Sequence, residues 1–209
     1  MILDKTNWSA MFASTAKYMK ENKVLLSDID SKFGDGDHGV TIAKIADIFE
    51  AAIEEWKHND WTLKEFFAEI GVRVVNVSGG SAGPLYGTFL AGLGECLGDE
   101  KTSDAATLKR ILRSGLDELQ FLTNAKVGDK TMMDTLIPAI DAATNGPDDV
   151  VEMLRLAKDA AIAGSKASEG FISKFGRAKS YKEATIGTPD AGAVSCTYIF
   201  IGFYEAVLS

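Results

Sequence analysis

Apolar residues recur at helical spacing along almost the whole chain, and the alternation of a half-buried strand is nearly absent. Trp8, Met11, Phe12, Thr15, Tyr18 and Met19 mark one face of a first helix expected over residues 7–27. Residues 28–38 read as a loop and 40–56 as a second helix. Thr62 looks like an N-cap, and Glu65 three residues on completes a capping box for a third helix, 62–76. Ser78-Gly-Gly-Ser-Ala-Gly83 breaks the pattern, and Pro84 suits the first turn of a fourth helix reaching residue 97. Ser103 caps a fifth helix to residue 122, and 123–130 is a loop. A sixth helix covers 131–142, and Asp148 starts a seventh that runs to 168. The long loop 169–188 leads to an eighth, for which Thr188-Pro189-Asp190 reads as cap, first-turn proline and first-turn acid. Without repeat, low-complexity segment or interdomain linker, the expectation is one all-α domain over residues 1–209.

Composition narrows the class. Hydrophobic residues make up 46% and charged residues 25% of 209, ordinary values for a globular chain that can bury a real core. The net charge of -8 repels phosphate backbones, so nucleic acid is an unexpected partner, and phosphate chemistry here would call for metal cations. Cys96 and Cys196 lie in apolar, helix-like stretches and belong to no CxxC, so two reduced thiols and no disulfide are expected. The N-terminus lacks a basic region followed by an apolar run, so no signal peptide is expected. Residues 191–208 are apolar but interrupted by Ser195, Thr197 and Glu205, which favours a buried core helix over a membrane span. These features together point to a cytoplasmic soluble protein with no membrane partner.

The connections carry the unusual residues, and only every second one does. The loops after the first, third, fifth and seventh helices hold aspartates, a Ser-Gly-Gly-Ser-Ala-Gly run, Val127-Gly-Asp-Lys-Thr131, and Arg177 with Gly187-Thr-Pro-Asp-Ala-Gly192. In an up-down bundle or barrel those four loops share one end, so one site is expected there.

In the first of these loops Asp35 and Asp37 flank Gly36, and Asp30 can fold back from upstream. Three crowded carboxylates repel one another without a cation, and hard oxygen ligands suit Mg²⁺ with phosphate oxygens as further ligands. The alternative is a solvated turn ending in a helix cap; a calcium loop is disfavoured because the twelfth-position Glu of an EF-hand is missing. His38 either touches a phosphate or sugar or caps the next helix. The glycine-rich loop, followed at once by a helix N-terminus, suits an anion cradle or a flexible turn, and is no P-loop because no Gly-Lys-Ser/Thr follows. Lys130 is a phosphate-binding cation or half of a surface pair with Asp129; Arg177 is a mobile phosphate clamp or a surface arginine; Asp190 caps a helix or meets a sugar or base.

Taken together, Gly34-Asp-Gly-Asp-His-Gly39, Gly79-Gly-Ser-Ala-Gly-Pro-Leu-Tyr-Gly87, Gly128-Asp-Lys-Thr-Met132, Gly176-Arg177 and Gly187-Thr-Pro-Asp-Ala-Gly192 resemble the L domain of dihydroxyacetone kinases, in order and over the whole chain. The resemblance implies an eight-helix antiparallel up-down barrel with the nucleotide, ADP or ATP, at one end. It implies two Mg²⁺ ions held by Asp30, Asp35 and Asp37, and a nucleotide site lined by His38, Gly39, Val40, Thr41, Ser81, Ala82, Met132, Arg177, Asp190, Ala191 and Gly192, with Arg177 as the catalytic residue. It implies a kinase active only with partners: a K subunit that holds dihydroxyacetone, and a phosphohistidine M subunit of the phosphotransferase system that recharges ADP. A homodimer is left open. The rival readings are an ATP-dependent kinase subunit for dihydroxyacetone or a related ketose such as erythrulose, and a non-catalytic nucleotide-dependent regulatory subunit. Leu122-Thr-Asn-Ala-Lys126, Lys179 before Ser180-Tyr181, and Gly-Ser-Ala-Gly depart from the family pattern, the first of them where adenine or ribose contacts are expected.

Overall fold

The computed structural model describes residues 1–209 and is all-helical. Its α-helices are α1 Lys5–Glu21, α2 Lys23–Asp30, α3 His38–His58, α4 Leu63–Val75, α5 Ala82–Gly92, α6 Ala105–Leu122, α7 Met133–Asn145, α8 Val150–Ala167 and α9 Ala191–Leu208, with 3₁₀ segments at Ser168–Gly170 and Arg177–Thr185. Short polar side chains start most of them. Asp4, Thr62, Asp104, Asp149 and Asp190 each accept a first-turn backbone N–H, a bond worth about 1 kcal/mol apiece. The Thr62–Glu65 capping box forms as expected.

Several boundaries differ from the sequence expectation. The first helix is interrupted at Asn22, whose side-chain Nδ2 donates to the Tyr18 carbonyl at 2.9 Å, and the chain restarts as α2. That restart is asparagine competing with the backbone for helix bonds. It extends helix to Asp30, which therefore sits on a helix end and not mid-loop. Ser103 is not a cap: it pairs with Leu3 in an isolated antiparallel bridge and its Oγ accepts from Trp8 Nε1 at 3.1 Å, leaving the cap to Asp104. Helix α5 stops at Gly92, five residues early, so Cys96 lies in a turn; both cysteines are free. Asp190 itself caps α9, through Ala193 N at 2.8 Å, and Thr188 stays outside the helix.

One contiguous core of 47 buried residues holds the helices together. Each helix packs on the next in sequence, α1 packs on α3, and α9 packs on α1. Where small residues meet, backbones touch: a Cβ on Gly202 of α9 would lie 2.5 Å from Thr15 N of α1, and one on Gly71 of α4 would lie 2.6 Å from Ala91 N of α5. Phe12 is ringed edge-on by Phe49, Phe66 and Phe203 at centroid distances of 5.0, 5.4 and 5.3 Å. Trp8, Trp56, Phe66, Phe67 and Phe203 come from the start of α1, the end of α3, the start of α4 and the end of α9. The bulky aromatic packing therefore fills the end away from the α2–α3, α4–α5, α6–α7 and α8–α9 loops. Helix α9 is long and apolar enough to cross a membrane, yet 56% of it is buried against α1, α7 and α8, as a core helix requires.

Candidate functional site

The α2–α3 loop wraps around Asp30. Gly34 N donates to the Asp30 carbonyl at 2.6 Å and Gly36 N to Asp30 Oδ2 at 2.8 Å. A side chain at Gly34 would collide with Asp30 Oδ1 at 2.2 Å, and Gly36 takes φ 76°, so both glycines let the loop close. The result brings one carboxylate oxygen each from Asp30, Asp35 and Asp37 within 4.8 Å of one another. Burial, reinforced by the Asp35 and Asp30 charges, raises the Asp37 carboxyl above its ordinary value. A cluster that strains its own ionisation, made only of hard oxygens, fits a divalent cation such as Mg²⁺.

The α4–α5, α6–α7 and α8–α9 loops lie at the same end. Gly79, at φ 131°, lies over Asp37 and the first turn of α3: a Cβ there would be 2.3 Å from Thr41 Oγ1 and 3.4 Å from Asp37 Oδ2. Ser81 then leads into α5 with no side-chain cap, so the amides of Ala82 and Gly83 are left free at the helix N-terminus beside the carboxylates. From the α8–α9 loop, the Arg177 guanidinium pairs with Asp35 Oδ2, and Tyr181 packs on Phe33 with ring centroids 5.2 Å apart. From the α6–α7 loop, Met132 lies under Gly192, whose added Cβ would be 3.5 Å from Met132 Cβ.

His38 opens α3, and its ring leaves the rim for the interior. His38 Nε2 lies 2.9 Å from Ser195 Oγ of α9, and Tyr86 OH of α5 lies 2.7 Å from the same oxygen. Cys196 Sγ donates to Tyr86 OH at 3.2 Å. Burial lowers the His38 pKa, against the pull of the Asp30 charge. Asp190 spends Oδ2 on capping α9, and burial pushes its carboxyl up to about 7. Gly39 turns its bare face to Lys23, where a Cβ would sit 1.9 Å from the carbonyl oxygen, so only its backbone is free for a ligand. Val40 is exposed on the first turn of α3, and Ala191 begins α9 beside His38.

A family model described as the DAK2 domain matches residues 32–205. The chain belongs to the DAK2 domain family. Among its relatives, the PEP-dependent dihydroxyacetone kinase 1, ADP-binding subunit DhaL, of Listeria innocua is 34% identical over 91% of this chain and 91% of its own. The PTS-dependent dihydroxyacetone kinase, ADP-binding subunit DhaL, of Lactococcus lactis is 32% identical over 90% of this chain and 91% of its own. The crystal structure of the dihydroxyacetone kinase from C. freundii in complex with AMP-PNP and Mg²⁺ superposes with a TM-score of 0.70 at 27% identity. That match covers 94% of this chain and 33% of the other, so this chain spans about a third of that enzyme's length.

Both readings left open for Lys130 are corrected. It is 4% exposed, and its Nζ donates to the Ser168 and Thr188 carbonyls at 2.6 and 2.5 Å. It is neither a phosphate ligand nor a surface partner of Asp129, which pairs instead with Lys174 at 2.6 Å. Three contributors went unseen in the sequence: Tyr86 and Ser195, which hold His38, and Asp134, fully buried, whose oxygens accept Gly128 N and Thr131 N at 2.6 and 2.7 Å. The signal for Asp134 was present: an acid in the first turn of an apolar helix directly after a glycine loop satisfies orphan amides. A surface groove of about 650 Å³ between the turn after α5, α6 and the end of α7 lies elsewhere. Its Lys109, Arg110 and Arg113 already pair with Asp148, Glu100 and Asp141.

Proposed function

We propose that this DAK2 domain is the Mg²⁺-dependent ADP-binding subunit of a dihydroxyacetone kinase. It passes a phosphoryl group to dihydroxyacetone held on a partner K subunit and is recharged by a phosphohistidine M subunit of the phosphotransferase system. The observation that carries the reading is the Asp30–Asp35–Asp37 cluster, facing Arg177 and the uncapped α5 N-terminus. It occurs in a chain that matches ADP-binding subunits over 91% of both lengths.

In this reading Asp30, Asp35 and Asp37 hold two Mg²⁺ ions, which would neutralise phosphate charge and orient the transferred group. Because the aspartates serve as ligands they stay ionised and none is the general base. The amides at Gly80, Ser81 and Ala82 take the phosphates, and Arg177 stabilises the charge that develops in transfer. The first turn of α3 borders the phosphates through its backbone, with Thr41 buried behind it and His38 turned toward Ser195. Met132, Ala191 and Gly192 form one wall, whose angle Asp190 fixes by capping α9.

The finer architecture belongs to the same proposal: an up-down barrel in which α1 and α2 count as one of eight positions. Packing of each helix on its sequence neighbour, and of α9 on α1, supports it. The single contiguous core supports one domain over residues 1–209. Two free cysteines and a place beside the phosphotransferase system accord with a cytoplasmic location. Exposed Val127, Ile172, Phe175, Tyr181 and Ile186 lie on the loops of the site end, apolar positions suited to contact with a protein that presents the ketone.

Mass spectrometry of nucleotide released from freshly purified protein tests the reading. Bound ADP that exchanges slowly with added ATP is the expected result; rapid exchange would favour an ATP-consuming ketose kinase. Absence of nucleotide together with no Mg²⁺-dependent ADP binding would sink the proposal.

A further inference from the structure

The Asp129–Lys130 pair grips the segment that carries Arg177 at three points. Lys130 is one of two non-glycine residues with positive φ, here 60°, and this turn sends its side chain inward. Its ammonium donates to the carbonyls of Ser168 and Thr188, which are the two feet of the α8–α9 connection. The feet are also joined directly, Gly187 N to the Glu169 carbonyl at 2.7 Å and Asp190 N to Ser168 Oγ at 3.0 Å. Asp129, 4% exposed, takes Lys174 twice: Lys174 Nζ donates to Asp129 Oδ1 at 2.6 Å and Lys174 N to its carbonyl at 3.1 Å. Lys174 stands three residues before Arg177. The pair is itself fixed from below, by Asp134 on Gly128 N and Thr131 N.

A buried ammonium bonded to two neutral carbonyls is a costly arrangement, and an apolar side chain of the same length would fill the volume more cheaply. What the charge adds is strength and direction in two bonds that cross between loops. Both bonds run to one segment, and so do both Lys174 bonds from Asp129.

We propose that Asp129 and Lys130 are positioning residues that act through residues 168–190 to hold Arg177 against the Asp30–Asp35–Asp37 cluster, and that they touch no phosphate themselves. The proposal rests on the reading of Arg177 as a phosphate-binding group.

Two measurements on the full chain test it. The first is amide hydrogen exchange without nucleotide, comparing wild type with Lys130→Met and with Lys174→Ala, the milder variant at the exposed end of the second tether. Losing a charge-assisted bond should speed exchange over 173–190 by about tenfold or more, with α1, α3 and α4 unchanged. The second is calorimetric affinity for Mg·ADP in a double-mutant cycle with Arg177→Ala. Lys130→Met should weaken binding by about tenfold when Arg177 is present and leave it unchanged when Arg177 is absent. Unchanged exchange in both variants, an equal loss of affinity in both backgrounds, or no loss in either, overturns the proposal. Exchange needs no nucleotide, so it decides the tether even if the wild-type chain binds none, which would be a failure of the functional reading alone.

Discussion

Arg177 reaches back across the site end and pairs with Asp35 Oδ2, although the two residues belong to loops 142 positions apart in the chain. The guanidinium side chain is 69% exposed, so the pair adds little stability and is easily exchanged for another anion. Its value is placement: a permanent cation on a mobile stem beside three carboxylates. Arg177→Ala should therefore leave the melting temperature within about 2 °C of wild type while lowering the single-turnover phosphoryl-transfer rate by about 10³. Arg177→Lys should recover only part of the rate, because a point charge lacks the planar fork. A rate for Arg177→Ala within tenfold of wild type contradicts the assignment.

Burial, with the Asp35 and Asp30 charges beside it, resists ionisation of Asp37. Its pKa is raised in the folded chain, so without metal the charge opposes folding at neutral pH, and that cost grows as pH rises through the carboxylate range. Asp37→Asn should raise the melting temperature of the metal-free protein by roughly 2–4 °C. It should lower Mg²⁺ affinity by at least about tenfold, since a ligand charge is lost. Calorimetric Mg²⁺ titration beside thermal melts in EDTA gives both numbers. A variant that kept wild-type Mg²⁺ binding would remove Asp37 from the metal set.

The parts of this molecule legible in sequence were those set by local chemistry. Thr62 and Glu65 cap α4 from four adjacent residues, and glycines around Asp30, Asp35 and Asp37 could serve little besides a tight turn. Loop parity foretold that Asp35 and Arg177 share an end, because antiparallel neighbours leave little choice. Long-range bonds stayed hidden. Whether Lys130 faces solvent or two carbonyls nearly forty and sixty residues away depends on one backbone turn, which its own side chain does not announce. The break at Asn22 was missed for a related reason: an apolar periodicity carries on across a side chain that ends the helix by bonding Tyr18. The Tyr86–Ser195–His38 chain joins three helices, and no local pattern encodes it.

Asp190 offers a pH signature. Its pKa, pushed by burial from the usual carboxylate range to about 7, means the folded chain holds a proton that the unfolded chain releases near pH 4. Folding stability from this group is thus fullest below pH 4 and is lost as pH rises toward 7. Asparagine caps helices as well as aspartate does. Asp190→Asn should accordingly match wild type near pH 4 and become the more stable protein, by about 1 kcal/mol or more, by pH 7.5. Urea unfolding at the two pH values measures the difference, and a constant offset between variants would show that folding does not raise the Asp190 pKa.

Tyr86 ties the site to the core. It is 1% exposed, and its hydroxyl both receives from Cys196 and meets Ser195 Oγ, which in turn meets His38 Nε2. Removing that hydroxyl leaves the ring packing intact but deprives Ser195 of one partner, at a cost of about 1–2 kcal/mol in a buried position. Ser195 retains the Gly192 carbonyl at 3.1 Å as an acceptor, so it is free to turn away from His38. Tyr86→Phe should then lower stability by that amount and also weaken Mg·ADP binding severalfold, with Mg²⁺ affinity alone unaffected because Asp30, Asp35 and Asp37 do not share the chain of hydroxyls. Chemical denaturation and calorimetry on the same preparation separate the two effects. Lost stability with unchanged nucleotide affinity would reduce the Tyr86–Ser195–His38 chain to a core hydrogen bond.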